Sequence, residues 1–122
     1  MKKSLILVAH GSRREASNEE IRTIAARIAE RGDADFMDVS AAFLELAPPS
    51  IPDGIVAALD RGASEVVVLP YFLSAGRHVV TDIPEEVEKA RAVRPGAHIR
   101  IAPSLGSAEG LLAVLSEVAR GP

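Results

Sequence analysis

The chain has 122 residues, 48% of them hydrophobic and 25% charged, which is enough for one domain (residues 1–122) with a Val, Ile, Leu and Ala core and too short for two ordinary ones. A net charge of -3, 3% aromatic residues and no tryptophan argue against the positive field and the stacking platform of a nucleic-acid binder. Cysteine is absent, so disulfides, thiolate ligands and a cysteine nucleophile are excluded, and any metal falls to histidine, carboxylate or backbone oxygen.

Met1-Lys2-Lys3 resembles the start of a signal peptide, but the apolar run Leu5 to Ala9 is shorter than an h-region and is followed by His10, Arg13 and Arg14. No stretch is long enough to span a membrane, so a cytoplasmic protein with no membrane partner is expected. Leu5-Ile6-Leu7-Val8 predicts a strand buried on both faces. Ile21, Ile24, Ala25 and Ile28 keep helical spacing, and Gly32 supplies the stop. Phe36 to Phe43 reads as the second strand, followed by a loop from Glu45 to Ser50 that Pro48 and Pro49 stiffen. Ser50 with Asp53 resembles a capping box and opens a helix through Ile55, Val56 and Leu59, which Gly62 closes.

Glu65 to Pro70 is the clearest strand, β-branched through its centre, and Tyr71 to Arg77 is a loop. A helix from His78 to about Arg91 carries Val79, Ile83, Val87 and Ala90 on one face, bent or delayed by Pro84. Ala97 to Ala102 alternates as a fourth strand, and Ser107 is expected to cap a last helix bearing Leu111, Leu112, Leu115 and Val118. Four strand-then-helix repetitions imply an α/β fold: a four-stranded, mainly parallel, Rossmann-like sheet with helices on both faces. All four strand ends then share one edge, where open α/β sheets bind ligands.

Two of the three histidines fall on that edge. His10 directly follows the first strand, where it suits a metal ligand or a base as well as an ordinary loop residue, and Gly11 lets backbone approach a ligand. His78 lies near a helix start, whose dipole favours the neutral imidazole that metal ligation needs. Glu45, just past the second strand, stands on the same rim, either as a proton acceptor or metal ligand or as a solvated loop carboxylate. Asp82 reads as a structural acid satisfying donors at a helix start, and His98 as a surface residue on the opposite edge. A phospho-accepting His10 is a rival reading; that chemistry needs an arginine just before the histidine, where Ala9 stands, and only Arg13 and Arg14 keep it open. Lys2, Lys3 and Lys89 leave eleven arginines among the 14 basic residues; arginine is a bidentate partner for carboxylates, although genomic composition also explains the bias.

His10-Gly11-Ser12, Ala42-Phe43-Leu44-Glu45, Val68-Leu69-Pro70-Tyr71-Phe72-Leu73, Gly76-Arg77-His78 and Asp82-Ile83-Pro84, in this order and spacing, resemble the sirohydrochlorin chelatases of the CbiX type from Leu5 to about Val118. The resemblance implies insertion of a divalent metal into a tetrapyrrole, with cobalt, iron or nickel as substrate and no prosthetic group. It carries catalytic and metal-binding roles onto His10, His78 and Glu45. Arg13, Arg14 and Arg77, on the same loops, suit ligand carboxylates as well as they suit solvated loop charges, and with Gly11, Ser12, Ser74, Ala75 and Gly76 they make up the expected substrate-binding set. Longer family members look like two such units facing across a cleft, so a homodimer is expected. The alternative is a carrier of metal or tetrapyrrole on the same fold. Ala92 to Ala97 lacks the His-rich insertion of some members, which speaks against metal storage.

Overall fold

The N-terminal apolar run becomes β1 (Lys3–Ala9), with every residue from Ser4 to Ala9 buried, as a strand covered on both faces must be. The computed structural model describes residues 2–32 and 35–122. After β1 come α1 (Glu15–Arg31), β2 (Asp38–Phe43), α2 (Ile51–Asp60), β3 (Glu65–Pro70) and a π-helical turn (His78–Asp82). The turn runs into α3 (Ile83–Val93), followed by β4 (His98–Ile101), a 3-10 turn (Leu105–Ser107) and α4 (Leu111–Arg120). β2 starts at Asp38 rather than Phe36, and β4 is trimmed by one residue at each end of the expected run.

The strands are all parallel in the order β2-β1-β3-β4. Ile6, Val8, Val66, Val68 and Ile99 turn to one face, where they meet Ile51, Ile55 and Ala58 of α2 and Ile83, Val87 and Ala90 of α3. Ala9, Ala41 and Phe43 turn to the other and meet Ile21 of α1. Full burial of a Val, Ile or Leu side chain is worth about 1.5–3 kcal/mol, so the α2–α3 layer carries much of the stability.

The local stops and starts follow the residue chemistry. Gly32 takes the left-handed conformation after α1, and the Ser50 hydroxyl accepts from the Asp53 N–H at the start of α2. Ser107 does not cap the last helix. It lies in the 3-10 turn with its hydroxyl donating to the Ser104 carbonyl, and Gly110 occupies the cap position of α4. No residue of α4 is buried, and Leu112 and Val118 are each 73% exposed.

Candidate active site

Because β1 connects outward to β2 and the chain then crosses back to β3, the strand order switches between β1 and β3, the place where such sheets open a crevice. The loops carrying His10 and His78 leave from those two strands. The ladder continues past the strand ends: the Leu44 N–H donates to the Ala9 carbonyl and the Glu45 N–H to the His10 carbonyl, both at 3.0 Å, and the Tyr71 N–H to Val8 at 2.8 Å. Register therefore sets Glu45 beside His10.

Gly11 makes this closeness possible. Its φ is +97°, and a β-carbon there would lie 1.8 Å from the Glu45 carbonyl oxygen. The position that a side chain at Gly11 would occupy is thus taken by the protein's own backbone. The segment is held from behind by Asn18, 2% exposed, whose side-chain oxygen accepts from the Ser12 N–H at 2.9 Å and whose amide donates to the Ser12 carbonyl at 2.8 Å.

The imidazoles of His10 and His78 are neighbours, with ring centroids 4.7 Å apart and planes at 67°. His10 Nδ1 lies 3.1 Å from the Gly11 carbonyl; a carbonyl only accepts, so Nδ1 carries the hydrogen. His10 Nε2 lies 3.2 Å from Glu45 Oε2, so this pair can hold one proton between nitrogen and carboxylate. His78 Nδ1 meets Asp82 Oδ2 at 2.8 Å. The two imidazoles are 41% and 48% exposed, open enough to meet a ligand. Among the described residues, no three His, Asp or Glu side chains form a closed metal-ligand set.

Asp82 does not act as a helix cap. The backbone is already helical from His78, with the Ile83 N–H bonded to the His78 carbonyl across the wide π turn, so the carboxylate is left to the imidazole. Leu44, Glu45, His78, Asp82, Glu85 and Glu86 line a hollow of about 210 Å³. A larger hollow, about 340 Å³, lies at the outer edge of β2 away from the imidazoles; its arginines, Arg22 and Arg61, already pair with carboxylates.

The remaining expected substrate residues sit on the same rim. Arg13, Arg14 and Arg77 are exposed and, among the described residues, without ion-pair partners. Ser74, Ala75 and Gly76 are exposed in the β3 loop, and a β-carbon added to Gly76 would meet open space. His98 begins β4 opposite Glu65, at the far edge, as expected. Sequence reasoning missed Asn18 and Gly106. A β-carbon on Gly106 would lie 1.9 Å from the Leu73 carbonyl, so this glycine lets the 3-10 turn close against the β3 loop.

The CbiX family model matches residues 4–121. The chain belongs to the CbiX family. It is 37% identical to a chloroplastic sirohydrochlorin ferrochelatase of Arabidopsis thaliana over 113 residues, 93% of this chain and 49% of that protein. It is also 37% identical to a sirohydrochlorin cobaltochelatase of Methanopyrus kandleri over 82 residues, 67% of this chain and 56% of that protein. Among solved CbiX-type structures, the sirohydrochlorin chelatase SirB of Bacillus subtilis subspecies spizizenii in complex with cobalt superposes with a TM-score of 0.82 at 28% identity, covering 98% of this chain and 50% of that one. A CbiX protein of Marinobacter aquaeolei VT8 gives 0.77 at 30% identity, covering 97% of this chain and 94% of that one. The chain thus spans about half the length of the curated relatives it matches.

Proposed function

We propose that this CbiX-family chain is a sirohydrochlorin chelatase, a lyase-class enzyme that inserts Co2+, Fe2+ or Ni2+ into the tetrapyrrole. The observation that carries the reading is the pair of half-exposed imidazoles 4.7 Å apart with a carboxylate 3.2 Å from one of them. Insertion forms metal–nitrogen bonds as two pyrrole N–H bonds break, so the site must deliver one divalent cation and accept two protons. Neutral imidazoles bind these metals without filling their coordination sphere, so the ion can pass on to the macrocycle. His10 and His78 guide the cation, and the half-exposed His10–Glu45 pair takes the two protons one at a time, passing the first to solvent before it receives the second.

The macrocycle is large, flat and rimmed by carboxylates. Exposed Leu46, Leu73 and Val80, which follow Glu45 or flank His78 along the chain, offer apolar surface to its face, and Arg13, Arg14 and Arg77 offer cations to its edge. The hollow beside His78 is below the roughly 300–1,000 Å³ usual for a ligand pocket, so one chain presents an open rim rather than an enclosed site. A homodimer supplies the other wall. The exposed apolar Leu112, Leu115 and Val118 of α4 are the surface for that contact, and the roughly doubled length of the Arabidopsis relative agrees with two units per functional molecule. Light scattering is expected to give twice the chain mass, and Leu112→Glu with Leu115→Glu is expected to give single chains.

The decisive assay is incubation of the purified chain with sirohydrochlorin and each metal, followed by the visible spectrum of the pigment. Insertion above the protein-free rate is expected, with His10→Ala and His78→Ala each slowing it roughly 10²–10⁴-fold and His98→Ala leaving it unchanged. Binding of pigment or metal at the uncatalysed rate of insertion would instead indicate a carrier. Phosphate-ester turnover that needs His10 and not His78 would indicate phosphoryl transfer.

A further inference from the structure

We infer that Asp82 is a positioning residue: by accepting from His78 Nδ1 it fixes that imidazole as the Nδ1–H tautomer and leaves Nε2 as a vacant donor for a cation. The inference deepens the chelatase reading and rests on it only for the identity of the acceptor that later takes the metal. The contact is 2.8 Å, and an ionised carboxylate only accepts, so the hydrogen belongs on Nδ1.

Among the described residues, nothing else in this hollow competes with Asp82 for this role. The hollow it shares with His78 is lined otherwise by Leu44, Glu45, Glu85 and Glu86, so no lysine or arginine there draws the carboxylate away. The side chain makes no cap bond to the helix that it precedes. The π turn brings residues 78 and 82 together on the rim while Ile83 starts a regular helix that buries its side chain in the core.

The two imidazoles are thereby made unequal. Both have Nδ1 on an oxygen acceptor, but His10 Nε2 faces Glu45, whereas His78 Nε2 has no hydrogen-bond partner among the described residues. His78 is therefore the nitrogen that is open to a metal, and the His10–Glu45 pair is the one arranged to hold a proton. Acceptors that orient a ligating histidine through its second nitrogen typically change metal affinity by 10–100-fold when removed.

The test is a long-range proton–nitrogen NMR spectrum of the metal-free, nitrogen-15-labelled full chain, recorded on the alkaline plateau where the imidazole signals stop changing with pH, with the three imidazoles assigned by single His→Ala substitutions. In the wild type, His78 is expected with a protonated Nδ1 and an unprotonated Nε2. Asp82→Ala is expected to move His78 alone toward the Nε2–H form and to weaken Co2+ binding roughly 10–100-fold, and Asp82→Glu to restore part of both. A wild-type His78 in the Nε2–H form overturns the inference without any variant. So does an unchanged His78 spectrum in a folded Asp82→Ala protein. If the tautomer and Co2+ results hold but no metal enters sirohydrochlorin, the chelatase reading fails and the assignment of Asp82 stands.

Discussion

The two histidine loops reach the same rim by different means. The His10 side is built from backbone: ladder bonds to Leu44 and Glu45, a glycine pressed against the Glu45 carbonyl, and a buried asparagine clasping Ser12. The His78 side has backbone ties near its root, Tyr71 to Val8 and Gly106 to Phe72, but beyond them the Ser74-Ala75-Gly76 segment is exposed and one carboxylate holds the ring. We call the first the fixed half and the second the adjustable half; on the proposed function the first sets where the proton acceptor stands and the second presents the imidazole that meets the metal. Gly11→Ala gives the largest expected break. It places a side chain at positive φ and into a carbonyl, so a loss of roughly 2–4 kcal/mol in urea unfolding is expected. Separation of Glu45 from His10 should then abolish insertion.

Asn18 is the next largest handle on the fixed half. Asn18→Ala leaves the Ser12 N–H and carbonyl without their partner in a half-buried place, which costs about 1–3 kcal/mol. The signature that distinguishes it from a general core defect is a fall in kcat for metal insertion measured at a temperature where the variant is fully folded. A variant with wild-type kcat would mean that the loop holds its shape without the clasp.

Gly76→Ala is the contrasting probe of the adjustable half. A β-carbon on Gly76 would meet nothing within 4 Å and the residue is not at positive φ, so alanine there is expected to leave stability unchanged or raise it by up to about 1 kcal/mol. If the β3 loop lies against the tetrapyrrole, KM for the pigment rises even so. Equal losses of stability in Gly11→Ala and Gly76→Ala would erase the distinction between the two loops.

Most of the fold was legible because it depends on short-range patterns. Leu5 to Val8 and Val66 to Val68 are continuous apolar runs, and the strand-then-helix alternation leaves little choice but a parallel sheet. The rim histidines were legible for the same reason, since strand ends fix which residues share an edge. The meeting of Gly11 with the Glu45 carbonyl was not, because a glycine does not announce whether ligand or backbone fills its missing side chain. Asn18 left a faint trace: it stands three residues before Ile21, in line with the apolar stripe of α1, where a polar residue asks for a buried partner. Asp82 was read as an acid satisfying donors at a helix start, but the identity of the donor was hidden: the backbone there is already helical through the π turn, and the donor is the His78 imidazole. The exposure of α4 was hidden too, since an amphipathic helix looks alike whether its apolar face meets its own sheet or another chain.

Acid supplies the mildest cut, at a tie of the fixed half. Arg22 of α1 pairs with Glu15 and Glu19, donates to the Pro48 carbonyl of the β2 loop at 3.0 Å and lies over the Phe43 ring, so it ties the helix to the segment that carries Glu45. The hydrogen bond from Arg22, helped by one from Asn18, holds the Glu15 carboxyl below its ordinary value of about 4.5. A carboxyl lowered in the folded state binds its proton more weakly there than in the unfolded chain. Its contribution is therefore whole above about pH 4.5 and is lost as pH falls through the lower, folded value. Because Glu15 is exposed, water and salt screen the pair and the effect is small. Arg22→Gln is expected to lower stability at neutral pH, through the lost contacts to Pro48 and Phe43, and to flatten the remaining decline on acidification. A wild-type urea midpoint that stays level down to pH 3, or an Arg22→Gln profile parallel to it, would show that this tie does not help to hold the His10 side in place.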